Sequence, residues 1–483
     1  MKYHLLFVAL FFSQILFAQN FTEITQSSEF EDVWESAVAF ADVDGDEDLD
    51  VIISGVGLSA ISTKLYLNDG TGTFTEVIGT TFDPLWVGSA AFSDVDDDGD
   101  PDVLLTGIND SSVRTAKLYQ NDGMGNFTEI PNTPFVGVRS SSIAFADVDG
   151  DDIEDLLITG LSAGNIPIAE LYLNDGNGNF ALQAGSSFEG VWESSIAFSD
   201  VDGDDDQDVL LTGINEVGVQ ISTLYLNDGN GTFSEVLNTN FEAVWLSNIA
   251  FGDVTGDEVE DLIITGENND AEILTRLYIN DGNGNFTEMT NSSFDDIVEG
   301  IVAFTDVDLD DDLDVLLTGI SSSNMIIAKW YLNDGTGNFS EVAGTPFIGI
   351  LEGDVAFADI DDDGDEDVLF TGFNSPTMIS SKLYRNDLVI SSTNNLALEL
   401  NLSVFPNPVR SNILNIRFES LETEYISIQI FQQNGQLIHE QVESVVKGRT
   451  DLSIDVRALP LGHYFVQLQS EHQQGSAPFV VQH

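Results

Sequence analysis

An internal period limits this chain more than any other feature. An Asp-rich nonapeptide begins at Asp42, Asp94, Asp147, Asp200, Asp253, Asp306 and Asp359, so successive copies stand 52 and then 53 residues apart. A second signature, close to L-Y-L-N-D-G-x-G-x-F, ends at Phe74, Phe127, Phe180, Phe233, Phe286 and Phe339. A further Phe follows eight residues later, at Phe82, Phe135, Phe188, Phe241, Phe294 and Phe347. A fixed period of this length means one supersecondary unit stacked on copies of itself.

Each unit reads as four short strands, at 36–41, 50–54, 64–67 and around Phe74 in the first copy. The acidic loop separates the first two, and Asn68-Asp69-Gly70 is a hairpin signal between the last two. Four strands without helical periodicity predict a propeller blade. The seventh copy stops at Asp387 without a fourth strand, while Phe21 stands 53 residues before Phe74. The strand 20–24 is therefore expected to complete the seventh unit, with Phe30 as its next marker. An open solenoid would want capping repeats, not a split one. The expected fold class is all-β: a seven-bladed β-propeller followed by a small immunoglobulin-like β-sandwich. The expected boundaries are a signal peptide at 1–18, the propeller at 19–387, a linker at 388–402 and the second domain at 403–483. Phe40, Phe92, Phe145, Phe198, Phe251, Phe304 and Phe357, two residues before each acidic loop, are expected to pack between neighbouring sheets.

The N-terminus carries Lys2, an apolar run over 5–17 and then Ala18, the pattern of a secretory signal. That run is too short for a membrane span, and no other stretch is apolar enough. There is no Cys, so disulfides do not brace the loops. Charge is uneven: 74 acidic against 9 basic side chains over 1–388, and 8 against 5 over 403–483. A field this negative disfavours nucleic acid and anionic membranes.

The acidic loops read as metal sites. In Asp42-Val43-Asp44-Gly45-Asp46-Glu47-Asp48-Leu49-Asp50, carboxylates stand at positions 1, 3, 5 and 9, and position 7 (Asp48) offers a backbone carbonyl. That spacing wraps oxygens around one hard cation, and oxygen-only ligands favour calcium. Without a cation, carboxylates so close would repel strongly. The other sets are Asp94, Asp96, Asp98, Asp100 and Asp102; Asp147, Asp149, Asp151, Ile153 and Asp155; and Asp200, Asp202, Asp204, Asp206 and Asp208. They continue with Asp253, Thr255, Asp257, Val259 and Asp261; Asp306, Asp308, Asp310, Asp312 and Asp314; and Asp359, Asp361, Asp363, Asp365 and Asp367. The expectation is up to seven Ca2+ ions, one per unit, with the Thr255 set the weakest. The D-V-D-G-D-x-D-x-D loops, together with L-Y-L-N-D-G-x-G-x-F, resemble the FG-GAP-like or VCBS repeat family, related to the propeller of integrin α chains. The resemblance spans 20–387. It implies a calcium-binding propeller of the kind found in adhesion proteins, lectins and accessory domains of enzymes.

Past the linker, Pro406-Asn407-Pro408, the Asn434-Gly435 turn, Leu459, Gly462, Tyr464 and Val466, and the terminal Phe479-Val480-Val481 form another pattern. They resemble the type A C-terminal sorting domain of the type IX secretion system of Bacteroidetes. That implies export to the outer surface or medium, with that machinery as a partner.

No catalytic centre is legible. The His residues are His4, His439, His463, His472 and His483, none of them within 19–387, and without Cys the nucleophile–His designs are missing from that region. A binding face is easier to argue. Trp34, Trp86, Arg139, Trp192, Trp245, Val298 and Leu351 stand eight residues before the acidic loops, where the innermost strand should start. Four Trp and one Arg around an opening could stack on sugars or seize an extended chain, with Glu35, Glu193, Glu299 and Glu352 as acceptors, or the Trp could only fill space between sheets. The functional expectation is a secreted or surface binding or adhesion module for glycan or protein. The alternatives are a structural surface protein and a polysaccharide-cleaving enzyme.

Overall fold

The computed structural model describes residues 21–24, 30–185, 188–375, 377–387, 398–399, 402–409, 413–420, 424–432, 437–457, 459–469 and 473–482. The expected signal segment, most of the expected linker and the Asn434-Gly435 turn lie outside them. The chain divides into two compact units, Met1–Leu388 and Val389–His483.

In the first unit each repeat lays its strands side by side in chain order. In the first repeat these are Val33–Ala41, Asp50–Gly57, Ile61–Leu67 and Thr75–Glu76, with Ala41 opposite Asp50 and Val51 opposite Tyr66. The second strand reads as an unbroken apolar run because both its faces are covered: Val51 and Ile52 are wholly buried and Ile53 nearly so. In the seventh repeat the strand Phe21–Glu23 lies antiparallel to Met378–Asn386, with Phe21 opposite Asn386.

The backbone pairing corrects the expected seven-bladed β-propeller. Only the first, sixth and seventh repeats form separate four-stranded sheets. The second to fifth repeats run together in one hydrogen-bonded system. Single residue pairs tie the third strand of one repeat to the first strand of the next: Thr115 with Val138, Ile168 with Val191 and Ile221 with Val244. The first strand is also broken in two repeats, into Leu85–Trp86 and Ala90–Ser93, and into Val138–Arg139 and Ile143–Ala146. Seven discrete blades closing as a propeller are therefore not what forms. The unit is an all-β assembly of small antiparallel sheets, some of them merged.

Its core lies between repeats. Val43, Ile52 and Leu65 pack with Leu85, Val103 and Leu105 of the next repeat, and Val38, Val51 and Ile53 pack with Ile360 and Leu369 of the seventh. An aromatic triad recurs, as in Phe82 edge-on to Tyr119 at 5.0 Å and tilted on Phe127 at 5.2 Å. Phe40 and Phe92 join the same clusters, half-buried. The Tyr hydroxyl of the triad accepts a backbone N–H, from Asp83 to Tyr119 at 3.1 Å and from Glu242 to Tyr278 at 3.0 Å. Burying each such ring is worth roughly 1.5–3 kcal/mol.

The second unit has a five-stranded and a three-stranded sheet around one core that includes Ile416, Phe418, Ile428, Val466 and Phe479. The five-stranded sheet carries a parallel edge, Leu398 beside Gln473, and Val409 bridges Val481 in parallel. The expected immunoglobulin-like sandwich is built from antiparallel sheets. That expectation is corrected to a two-sheet β unit with a parallel edge.

Candidate functional site

The acidic loops share one construction. Asp42 at position 1 accepts backbone N–H groups from Gly45 at 2.8 Å, Asp46 at 3.3 Å and Glu47 at 3.0 Å, curling the loop over its own carboxylate. Asp46 at position 5 accepts the Asp48 N–H at 3.2 Å. Position 9 is the buried anchor. Asp50 Oδ2 accepts the Val43 N–H at 3.0 Å and Oδ1 accepts the Asn68 N–H at 2.8 Å, joining the loop to the hairpin turn of its own repeat. Burial pushes these carboxyls up, to about 7 for Asp50, Asp102, Asp155 and Asp208, about 6 for Asp261 and about 8 for Asp314 and Asp367, against the pull of the backbone N–H groups.

Position 3 is different. Asp44, Asp96, Asp149, Asp202, Asp308 and Asp361 each bury an Oδ1 with no hydrogen-bond partner, and Thr255 buries its Oγ1 in the same way. Buried polar atoms are normally partnered, so the same orphan in seven loops marks a place for something that accepts oxygen ligands. The carboxylates converge there. Asp42, Asp44 and Asp50 bring oxygens within 4.8 Å of one another, as do Asp94, Asp96 and Asp98; Asp147, Asp149 and Asp155; Asp200, Asp202 and Asp208; and Asp306, Asp308 and Asp314. Hard oxygen donors at this spacing fit a calcium ion. At position 7 the carboxylate of Asp48 turns away, lying where a Cβ on Gly70 would come within 2.6 Å.

A second feature lies where the first strands begin. The residue after each strand-start position adopts a left-handed backbone: Glu35 (φ 44°), Val87 (53°), Ser140 (46°), Glu193 (47°), Leu246 (47°), Glu299 (52°) and Glu352 (45°). These are β-bulges, and the register slips there, as between Trp34 and Ala37. The Gly of each D-V-L-L-T-G strand makes room for the bulge: a Cβ on Gly107 would sit 2.7 Å from the Trp86 carbonyl oxygen. The bulges link head to tail, with the Val87 N–H on the Glu35 carbonyl at 3.1 Å, Ser140 on Val87 at 2.8 Å and Glu193 on Ser140 at 3.2 Å. All seven bulge residues line one cavity of about 280 Å³. Burial raises the Glu35 carboxyl to about 7, with Glu352 and Glu193 adding to the rise and Arg139 opposing it. Glu193, Glu299 and Glu352 are raised too, first by burial.

Comparison with known proteins fits both units. The secretion system C-terminal sorting domain family matches residues 403–482. The FG-GAP-like repeat family matches 94–158, 253–317 and 306–370. The chain is an FG-GAP-like repeat region joined to a type IX sorting domain. The sorting domain directs export to the outer surface through the type IX secretion system and engages its translocon. Among the described residues no helix is long and apolar enough to cross a membrane. The T-cell immunomodulatory protein of Rattus norvegicus is 38% identical over 111 residues, which are 22% of this chain and 18% of that protein. The Aleuria aurantia lectin in complex with alpha-methyl-L-fucoside is similar at 9% identity and a TM-score of 0.37, over 66% of this chain and 100% of the lectin. A thermostable family-43 glycoside hydrolase is similar at 10% identity and a TM-score of 0.24, over 53% of this chain and 90% of the enzyme. At those scores neither structure bears on what this chain does.

In the FG-GAP-like region the strand-start residues Trp34, Trp86, Arg139, Trp192 and Trp245 are half-buried beside the cavity, not in its lining. Trp34 lies edge-on to Trp86 at 6.5 Å and tilted on Phe373 at 4.6 Å, and Trp245 Nε1 donates to Glu267 at 3.2 Å. Glu35 and Glu193 do line it. Sequence reasoning missed the Asn of N-D-G. Its Nδ2 donates to the loop of the preceding repeat, Asn121 to the Val43 carbonyl at 2.9 Å and Asn227 to the Val148 carbonyl at 2.8 Å. Its invariance across the seven copies was the available signal. Asn227→Ala strands a buried carbonyl, so it should cost about 1–3 kcal/mol in urea denaturation; no change would mean the bond contributes nothing.

Proposed function

We propose that the exported repeat region is a calcium-loaded binding or adhesion module that engages an extracellular glycan or protein through the face bearing Trp34, Trp86, Arg139, Trp192 and Trp245. The single observation that carries the calcium half is the unpartnered buried oxygen at loop position 3, repeated from Asp44 to Asp361. Positions 1, 3, 5 and 9 would supply carboxylates and position 7 a carbonyl, with up to seven ions bound. Calcium there neutralises clustered charge and stiffens the loops; extracellular modules hold it with dissociation constants of order 10⁻⁴–10⁻³ M. In the binding half, half-buried Trp beside a polar cavity suits stacking on a sugar ring or an extended chain.

Calorimetric titration with Ca2+ tests the first half. Asp149→Ala should lower the stoichiometry by one site, and a parent that takes up no calcium would refute it. For the second half, a glycan array and a panel of surface proteins would be probed with the calcium-loaded chain. Trp34→Ala combined with Trp192→Ala should abolish the signal while the melting midpoint stays close to the parent's. Binding that survives the double substitution would place the ligand elsewhere.

A further inference from the structure

Two cavities on the strand-start side share a wall at Glu352. The first is the bulge-lined cavity, which gathers the carboxylates of Glu35, Glu193, Glu299 and Glu352. The second, about 560 Å³, lies between the sixth and seventh repeats and is walled by Ile320, Ile326, Leu351 and Phe373. Both contain polar atoms without partners. Glu35 Oε2 is buried with no hydrogen bond. The Ser140 hydroxyl, nine-tenths buried in the first cavity's wall, makes no well-formed hydrogen bond, although it lies close enough to Glu193 to oppose the rise that burial gives that carboxyl. In the second cavity Asn374 spends its amide N–H on Ser380 Oγ at 2.7 Å and leaves its buried Oδ1 unpartnered.

Charge narrows what can enter. Among the described residues Arg139 is the one cation acting on Glu35 and Glu193, and residues 1–388 carry 74 acidic and 9 basic side chains. Four carboxylates therefore share the cavity, and that guanidinium acts on two of them, Glu35 and Glu193. A bare metal ion would satisfy the acidic cavity but leave the apolar one beside it unexplained. A sugar would leave the excess charge uncompensated. A basic side chain next to an apolar one answers both, and exposed apolar tips at Leu58, Val217 and Met325, in the loops joining second to third strands, and at Met378, where the third strand of the seventh repeat starts, widen the contact.

We infer that this cavity pair recognises a partner polypeptide by an Arg or Lys side chain placed among Glu35, Glu193, Glu299 and Glu352, with the adjoining apolar side chain against Leu351 and Phe373. The inference rests on the reading of this face as a binding face and names its partner class. Opposite charge inside a partly desolvated cavity sets which chain binds and how fast it arrives, while the apolar cavity holds it.

Fluorescence polarisation on the calcium-loaded full chain tests this, with a labelled peptide pool built around a fixed Leu-Arg-Phe core. Saturable binding is expected, at least tenfold weaker when Glu replaces the Arg of the peptide or when Gly replaces its apolar residues. Glu35→Gln with Glu299→Gln, isosteric changes, should cost tenfold or more at an unchanged melting midpoint, and Glu299→Gln alone should cost less. No saturable binding to the pool, or binding indifferent to the Gln substitutions, overturns the inference. If a glycan or surface protein still binds in a Trp-dependent way, the broader reading of the face survives that failure. If nothing binds at all, both fall.

Discussion

Chelator-treated, desalted protein is expected to melt far below the calcium-loaded form, by more than any one side-chain substitution achieves. A ligand that binds only the native state adds RT ln(1 + [L]/Kd), about 2.7 kcal/mol per site at a hundredfold excess over Kd, and the loops offer several sites. The pH dependence carries the sign. Without calcium, burial pushes Asp50, Asp102, Asp155 and Asp208 up to about 7 in the folded chain, Asp261 to about 6, and Asp314 and Asp367 to about 8, above the ordinary carboxyl value of 3.8. A raised acid binds its proton more tightly when folded. Its contribution is fully present below the unfolded value and is lost as pH rises through the folded one. The calcium-free protein should therefore be more stable at pH 5 than at pH 8. Calcium binds the ionised form and reverses the trend. Scanning calorimetry at both pH values, with and without 10 mM Ca2+, checks this. Superimposable melts, or a metal-free form that gains stability toward pH 8, would remove the cation from the account.

Trp330→Ala should be the most damaging single substitution in the repeat region, costing about 3–5 kcal/mol, the range for emptying a buried aromatic site. Trp330 is wholly buried, and its ring lies 5.8 Å from Phe21, 5.9 Å from Phe347 and 6.0 Å from Phe357. The other six repeats carry Leu at this position, from Leu65 to Leu383. The larger ring fills the space where the N-terminal strand meets the sixth and seventh repeats, so its loss should also loosen Phe21–Glu23 and expose it to protease. Trp330→Phe should cost much less, because the buried Nε1 has no partner to lose. Guanidinium denaturation of the two variants separates the packing from the polar atom. Equal costs would mean that the ring's volume is not what matters.

The loops were legible because their chemistry is local. Asp42, Asp44 and Asp50 lie within nine residues of one another, so spacing alone brings their oxygens together, and the fold narrows that to within 4.8 Å. The Asn of N-D-G was visible as an unvarying letter but not as a tie, because its acceptor lies some 79 residues away in the preceding repeat. The carboxylates of Glu35 and Glu193 could be proposed as acceptors, yet their convergence depends on a left-handed bulge that no local pattern announces.

By itself the sequence determined the repeating unit, its strand count, the oxygen-rich loops and the sorting domain, since each rests on residues a few positions apart or on a period that can be counted. Only the tertiary structure decided how the strands divide into sheets. Thr115 meets Val138, and Ile168 meets Val191, through the approach of neighbouring repeats, so separate sheets merge where their edges come within hydrogen-bonding reach. Backbone pairing of that kind is set by distance in space, which leaves no trace in the order of side chains.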